Sequence, residues 1–411
     1  MKTLVHCGEL FDSINGAVLK DQDVLISGKT VLWTGPKGEA PEAADQELDL
    51  SHCFVMPGLI DSHVHTSMDG YMATSAALRT NKTIGDVTLF SMVNAQKDLM
   101  AGFTTIRDEG SMGYADVSLR NAINAGLVAG PRMFVSGMPL SATGGHSDDR
   151  LNPYTRTEWG VNQLRVDSPD EGRKAARFNL KYGADQIKIM ATGGVMSSGD
   201  LPGAAEFSEE EMKAILQVTN SRGRNSSAHA HGADGIKMAV RNGITSIEHG
   251  MMMDDECIDM MASHGTYLVP TIIAAKAIID LGTAGGLSEE TVSKAKACLE
   301  KHGDNLKKCY AKGVKIIFGT DAGTPGNYHG QQTREFELLH TYSGMTVTEV
   351  LQAATALPAK MQKLEGRLGC IKAGSYADLV AYKNSPYDDL SVMNRASFVM
   401  KDGVIYKDET R

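Results

Sequence analysis

The sequence predicts an α/β protein made of a parallel (β/α)8 TIM barrel and a small β-sandwich domain built from the N- and C-terminal segments. Three observations support this fold class. Short apolar strand patterns alternate with helical patterns through the middle of the 411-residue chain. Both ends of the chain are instead rich in strand patterns and turns. The 43 glycines suit the many tight junctions between strands and helices that this alternation requires.

The two ends of the chain carry strand patterns that could not bury their apolar faces alone. A hairpin-like turn at 27–29 joins two short strand patterns near the N-terminus. Three further strand patterns lie near the C-terminus, at 377–382, 398–400 and 404–406. We therefore predict that residues 1–56 and 362–411 pair into the small β domain and that residues 57–361 form the barrel.

Eight strand patterns and the helical patterns between them indicate the barrel. The predicted strands are residues 54–65, 103–109, 132–137, 185–192, 226–231, 245–249, 266–271 and 315–321. The clearest helical patterns are at 209–222, 234–242, 255–264 and 289–312. Two long connections, 138–170 and 193–207, follow strand ends, which is where barrel enzymes build their sites.

Composition narrows the class of protein. The net charge of −9, with no basic block, argues against a nucleic-acid partner. No stretch reaches about 18 consecutive apolar residues, so no membrane-spanning helix is expected. Six scattered cysteines without a C-x-x-C pair argue against a disulfide framework or a zinc ribbon, and they fit a reducing compartment. With no apolar leader at the start, the predicted location is cytoplasmic, although an exported protein without its signal would look the same.

The first predicted barrel strand ends in His63-Val64-His65. Residues i and i+2 of a strand point to the same face, so the two imidazoles converge. An isolated pair of this kind could equally be two strand-end histidines in a polar loop. Here four more ligand-type residues follow on later strands: Lys188, His229, His249 and Asp321. Because barrel strands end at a common rim, the six side chains are expected to meet in one metal site.

Each later residue has another interpretation when taken alone. Lys188 could pair with an acid inside the barrel, and His249 could be a core histidine. Asp321 could cap the helix that follows it. Their joint occurrence, in order, on successive predicted strands favours the metal site.

With these motifs the chain resembles the amidohydrolase superfamily over essentially its whole length. The resemblance rests on residues 56–65, the strands that carry the later ligand-type residues, and residues 374–379 at the return to the β domain. The lysine-containing subtype implies two divalent metal ions bridged by a carboxylated lysine. Lys188 would then be a carbamate formed with carbon dioxide. The resemblance assigns one metal to His63, His65 and Asp321, the other to His229 and His249, and Lys188 to both.

The same resemblance implies a reaction. A hydroxide bridging the two metals would attack the amide carbonyl, while Asp321 would pass the proton of the water to the leaving nitrogen. Nitrogen and oxygen ligands suit zinc, cobalt, manganese or iron, of which zinc is expected.

Within the superfamily the chain most resembles the imidazolonepropionase-like group, which includes Xaa-Pro and Xaa-Arg dipeptidases and related carboxypeptidases. The segments that carry this likeness are 104–108, 143–146, 193–197 and 229–236. They imply hydrolysis of the amide bond preceding a C-terminal amino acid, in a dipeptide or an N-acyl amino acid. One alternative is a hydrolase of a non-peptide amide, carbamate or urea, including amide-linked toxins such as ochratoxin. Another is a non-catalytic binding barrel, which the presence of all six ligand-type residues argues against.

Two surplus histidines are predicted to act on the substrate. His231 shares a strand face with His229, so it could contact the substrate or hydrogen-bond a rim loop. His146 lies beside two glycines after the third strand, where it could polarise the substrate carbonyl, bind a carboxylate or simply be a solvated loop histidine. We predict catalytic, substrate-binding roles for both residues.

Three further residues are predicted to bind substrate. Arg107 could hold a substrate carboxylate through two parallel hydrogen bonds, although an ion pair with the neighbouring Asp108 is the favoured interpretation. Gly193 and Gly194 are predicted to let a ligand approach the backbone at the barrel rim. A homo-oligomer is expected, without nucleic acid or membrane as partner.

Overall fold

A computed structural model describes residues 1–72, 82–148, 163–197 and 201–410. The described strands are β1 (Lys2–Asp12), β2 (Ala17–Ser27), β3 (Thr30–Pro36), β4 (Gln46–Pro57), β5 (Leu59–Val64), β6 (Phe103–Asp108), β7 (Arg132–Val135), β8 (Leu140–Ser141), β9 (Leu164–Arg165), β10 (Gln186–Met190), β11 (Asn225–Gly232), β12 (Ser246–Met252), β13 (Tyr267–Val269), β14 (Lys315–Ile316), β15 (Leu379–Tyr382), β16 (Phe398–Lys401) and β17 (Val404–Asp408).

The described α-helices are α1 (Ile84–Met100), α2 (Ala115–Asn124), α3 (Pro169–Lys181), α4 (Glu209–Ser221), α5 (Ala233–Arg241), α6 (Asp255–His264), α7 (Ile272–Leu281), α8 (Glu289–Ala311), α9 (Glu335–Ser343), α10 (Val347–Ala353) and α11 (Ala356–Met361). Parts of the two predicted long connections, residues 149–162 and 198–200, lie outside the described ranges. Among the described residues, no helix combines the length and the apolar character needed to cross a membrane.

Strands from both ends of the chain form one seven-stranded sheet, in the order β17-β16-β15-β4-β1-β2-β3. β4 joins the two ends, because it pairs in parallel with β1 and antiparallel with β15. β2 and β3 form the predicted hairpin, with Ser27 opposite Thr30. Buried side chains from both ends share one hydrophobic core, among them Val5, Val24, Leu379 and Phe398. Each end therefore needs the other to bury its apolar face.

The middle of the chain closes into a parallel barrel, as predicted. Its eight strands are β5, β6, β7, β10, β11, β12, β13 and β14, and neighbouring strands within each sheet pair in parallel. A parallel bridge between Val64 and Ala322 closes the barrel on one side. On the other side, the Asp185 amide donates to the Val135 carbonyl oxygen at 2.8 Å. The carboxyl ends of the eight strands thus surround one rim.

The predicted strand 54–65 is wrong as a single element. The chain leaves the β domain at Pro57, the end of β4, and enters the barrel at Leu59, the start of β5. A Cβ atom at Gly58 would lie 2.1 Å from Thr104 Oγ1, so the crossing between the two sheets has no room for a side chain. The eighth predicted strand is also shorter than expected, with regular pairing only at Lys315–Ile316.

Helix ends follow local capping. α6 begins at Asp255 because the Asp254 side chain accepts a hydrogen bond from the Cys257 amide, and it ends at Gly265 in a left-handed conformation, with φ of 71°. α4 begins after Ser208, whose side chain forms a capping box with Glu211. These signals are local, which is why the predicted helices 255–264 and 209–222 agree closely with the observed ones.

Candidate metal centre

The carboxyl ends of the barrel strands open into a cavity of about 450 Å³. The cavity is lined by all six predicted metal ligands: His63, His65, Lys188, His229, His249 and Asp321. All of them except His65 are buried. Residues that lie up to 258 positions apart in the sequence, from His63 to Asp321, therefore meet in one site.

The tightest part of the cluster surrounds the Asp321 carboxylate. Its Oδ1 atom lies 3.4 Å from His63 Nε2 and 3.2 Å from His65 Nε2. One donor atom each of His63, His249 and Asp321 lie within 4.8 Å of one another. Two imidazoles and a carboxylate at this spacing can share a divalent cation after small adjustments of their side chains.

Hydrogen bonds fix which nitrogen of His63 and His65 faces the cavity. His63 Nδ1 lies 2.7 Å from a carboxylate oxygen of Glu248, and His65 Nδ1 lies 3.1 Å from the Gly110 carbonyl oxygen. Both partners only accept, so both Nδ1 atoms carry the proton. Each Nε2 faces the Asp321 carboxylate, where it would present its lone pair to a bound cation. His63 Nε2 is buried and has no hydrogen-bond partner within the described ranges. A bound cation would satisfy this atom.

His249 is oriented in the same way by Thr271. The Thr271 hydroxyl donates to the Pro270 carbonyl oxygen at 2.9 Å and lies 2.6 Å from His249 Nδ1, which leaves that nitrogen as the donor. His249 and Asp321 both adopt left-handed backbone conformations, with φ of 69° and 62°. Such conformations are uncommon outside glycine and are often found at functional sites. Here they mark where the strands turn into the rim.

His229 and Lys188 extend the cluster. The rings of His229 and His249 are 4.6 Å apart between centroids. Lys188 Nζ lies 3.4 Å from Glu109 Oε2, and Glu109 also accepts a hydrogen bond from the Ser227 hydroxyl. The Lys188 side chain is 1% exposed, and its amine faces an acidic partner.

The structure corrects both predicted contacts of Arg107. Its guanidinium pairs with Glu109 at 2.9 Å and Glu248 at 2.8 Å, so the predicted partner Asp108 is wrong. The predicted contact with a substrate carboxylate is also wrong, because the side chain is 1% exposed and its charge is already neutralised by two buried carboxylates. Arg107 instead links Glu248, the partner of His63, to Glu109, the partner of Lys188.

The two surplus histidines line the cavity beside the predicted ligands. The His146 ring stacks on His229, with centroids 4.1 Å apart and planes at 19°. The His231 ring stacks on His249 at 5.2 Å and 22°. Both histidines therefore lie where a substrate bound beside the metal ligands would be contacted.

Gly193 and Gly194 lie behind these rings and are not among the residues that line the cavity. A Cβ atom at Gly194 would lie 2.2 Å from His146 Cε1, and the Gly193 carbonyl oxygen lies 3.4 Å from His229 Nε2. Gly194 therefore has a packing role, while the approach of a substrate to the backbone at Gly193 and Gly194 stays a prediction. The absence of a side chain at Gly194 lets His146 approach the backbone closely.

The electrostatics of the cluster suit a cation. Burial lowers the pKa of His229 and His249 well below its ordinary value, and neighbouring histidines add to this effect. Burial raises the pKa of Asp321, but His63 and His65 outweigh it and hold that pKa well below its usual range. The neutral imidazoles of His229 and His249 and the ionised carboxylate of Asp321 are forms that bind metal. At His63, burial lowers the pKa, but the Asp321 and Glu248 carboxylates outweigh burial and raise the pKa, so a cation bound there would replace a proton. The donor set therefore fits divalent metal ions.

Sequence reasoning missed the residues that orient the ligands. Glu248, Thr271, Glu109 and Gly110 act through contacts between strands that are distant in the sequence. Glu248 could have been suspected, because an acidic residue inside a barrel strand, directly before His249, needs a polar or charged partner. Thr271 carried no such signal.

Three comparisons place this geometry among known proteins. Ochratoxinase of Aspergillus niger is 30% identical, and the match covers 98% of this chain and 86% of ochratoxinase. A crystal structure of a Xaa-Pro dipeptidase with methionine in its active site is 35% identical, with a TM-score of 0.90 and coverage of 99% of this chain and 100% of the other. A prolidase complexed with N-methylphosphonate-L-proline is 32% identical, with a TM-score of 0.89 and the same coverage.

The model of the amidohydrolase family matches residues 54–406, which include every predicted metal ligand. Enzymes of this family generally use divalent metal ions, in agreement with the histidine and aspartate cluster. The related proteins are hydrolases, and so is this one. The chain belongs to the amidohydrolase family.

Proposed function

We propose that the protein hydrolyses the amide bond preceding a C-terminal amino acid, in dipeptides or N-acyl amino acids. It uses two divalent metal ions, with zinc expected, and a carboxylated Lys188. The observation that carries the proposal is the convergence of six ligand-type side chains in one cavity beside His146 and His231. The similarity to a Xaa-Pro dipeptidase and a prolidase supports the choice of bond.

When bound, the divalent ions would polarise the scissile carbonyl and lower the pKa of water. Asp321 is placed to accept a proton from the attacking water and to give it to the leaving nitrogen, because its carboxylate lies in the cavity among the ligands. Glu248 keeps the proton of His63 on Nδ1, so that Nε2 stays free to bind. His146 and His231 line the cavity and would hold the substrate carbonyl or its terminal carboxylate.

A second candidate is hydrolysis of a non-peptide amide, which the 30% identity to ochratoxinase favours. The two candidates overlap in N-acyl amino acids, so they differ in whether dipeptides and simple N-acyl amino acids are also cleaved. A panel of dipeptides, N-acyl amino acids and ochratoxin, assayed with metal-loaded protein, separates them. Turnover of the toxin alone would favour the second candidate.

Removal of the His231 imidazole tests the proposed recognition of the terminal carboxylate. We expect His231→Ala to retain its metals but to lose about 10–100-fold in kcat/KM, since a charge-assisted hydrogen bond contributes about 1.5–3 kcal/mol. Amidating the C-terminus of the substrate should impair the wild type strongly and the variant less. The exposed His264 provides a matched control, His264→Ala.

Two results would contradict this role. If amidation impairs both enzymes equally, His231 does not contact the carboxylate. If the variant loses a metal ion, His231 is a ligand and its assignment must be exchanged with that of His229. Failure of every carboxylate-bearing substrate would reject the proposed bond.

A further inference from the structure

One wall of the cavity is apolar and adjoins the predicted metal ligands. It consists of buried side chains that line the cavity: Met190, Val195, Met251, Ala274, Ala275 and Ile278. Each is less than 9% exposed. Four of them, Val195, Met251, Ala275 and Ile278, also belong to one hydrophobic cluster. The wall is therefore the part of a packed hydrophobic cluster that faces the cavity.

Two residues of this wall, Met190 and Met251, lie on the same strands as predicted metal ligands. Met190 follows Lys188 by two residues in β10, so both side chains point to the same face. Met251 follows His249 by two residues at the end of β12. The wall consequently adjoins the ligands on the side of the strands' carboxyl ends.

Helix α7 supplies three residues of the wall, Ala274, Ala275 and Ile278, and it starts next to the residue that orients a predicted metal ligand. Thr271, which orients His249, is the residue before the helix. The Glu335 carboxylate accepts hydrogen bonds from the Ile272 and Ile273 amides at 2.9 and 2.7 Å, and these bonds fix the first turn. The start of the helix therefore has a defined position relative to His249.

The face that α7 presents to the cavity is shaped by small residues. Ala274 and Ala275 lie four and three residues before Ile278, so the three side chains share one face of the helix. Two alanines leave space that a larger side chain would fill. No residue of the wall offers a strong hydrogen-bonding group, so a charged group placed there would lose its hydration without compensation.

We propose that this wall is a side-chain pocket that selects substrates with a large apolar side chain next to the scissile amide. Leucine, methionine and phenylalanine are the expected class, whereas alanine, glutamate and lysine are disfavoured. The inference rests on the proposed amide hydrolysis and adds the substrate class. A single methylene group in an apolar enzyme pocket changes kcat/KM by about 10-fold or more.

The test uses two dipeptide series, Ala-Xaa and Xaa-Ala, with Xaa varied over these six amino acids. In one of the two series, kcat/KM should rise at least about 10-fold from alanine to leucine, and the glutamate and lysine members should fall below leucine by at least as much. Ala275→Phe fills the pocket and should lower the ratio of leucine to alanine kcat/KM by about 10-fold. The matched control is Ala297→Phe, at an exposed position of α8.

Ile278→Ala keeps the test decisive if Ala275→Phe does not fold. It enlarges the pocket, so the ratio of phenylalanine to leucine kcat/KM should increase. Calorimetric binding of the free amino acids to metal-loaded protein provides a readout without turnover, and leucine should bind more tightly than alanine or glutamate. If no peptide is cleaved but this order of binding holds, the proposed reaction fails and the pocket stands. If peptides are cleaved with no preference in either series and the binding order is flat, the pocket is rejected.

Discussion

Replacing Asp321 with asparagine is expected to lower kcat by at least about 100-fold, the scale of general acid–base catalysis. The carboxylate is buried and lies 3.4 and 3.2 Å from His63 and His65. An amide at this position cannot accept the proton of the attacking water, although its oxygen could still contact a cation. The loss should therefore appear in kcat, measured with metal-loaded enzyme and a saturating dipeptide.

The exposed Asp304 of α8 supplies a matched control, because Asp304→Asn removes a carboxylate charge at a residue that does not line the cavity. Measuring the metal content of both variants shows whether a loss of activity comes from lost metal or from lost proton transfer. An Asp321→Asn enzyme with unchanged kcat and only a higher KM would assign the proton transfer to another residue.

Replacing Lys188 with alanine is expected to remove bound metal and activity together. Lys188 is 1% exposed and lines the same cavity as the histidines. In the proposed function its carbamate would hold both ions, so the alanine variant would lack that ligand. Without both ions the reaction loses its activated water, and turnover should fall to the background rate. Short-chain carboxylic acids added to the variant should restore part of both properties, since they replace the missing carbamate.

Lys301→Ala, at an exposed position of α8, controls for the loss of a lysine charge. Wild-type protein supplied with ¹³C-labelled carbon dioxide should show a carbamate carbon signal by NMR, and the Lys188→Ala variant should lack it. A Lys188→Ala enzyme with two bound metals and normal turnover would remove the bridge from the mechanism.

The barrel and the convergence of the six side chains could be predicted from the sequence because both follow local rules. Alternating strand and helix patterns indicate a barrel, and the strands of a barrel end at one rim. The i, i+2 spacing of His63 and His65 places both imidazoles on one face, and they do lie together, with ring centroids 5.3 Å apart. The two-metal ligand assignment, the homo-oligomer and the cellular location stay predictions.

The partners of these side chains could not be predicted, because they depend on tertiary contacts. The predicted pair of Arg107 with Asp108 conflicts with strand alternation, which directs Arg107 to the side of Glu109, whereas its second partner Glu248 lies on a distant strand. The same limit applies to the strand at 54–65, whose division depends on Thr104 packing against Gly58. Residue patterns indicate where side chains point, but not which side chain they meet.

In the proposed function, this cavity hydrolyses amide bonds with two divalent metal ions. Zinc titrated into metal-free protein, with the release of free amino acid from a leucine-containing dipeptide as the readout, tests it most directly. We expect no turnover before zinc is added, and a rise that saturates at about two equivalents per chain. Full turnover by the metal-free protein in the presence of a chelator would show that the cavity cleaves amides without metal.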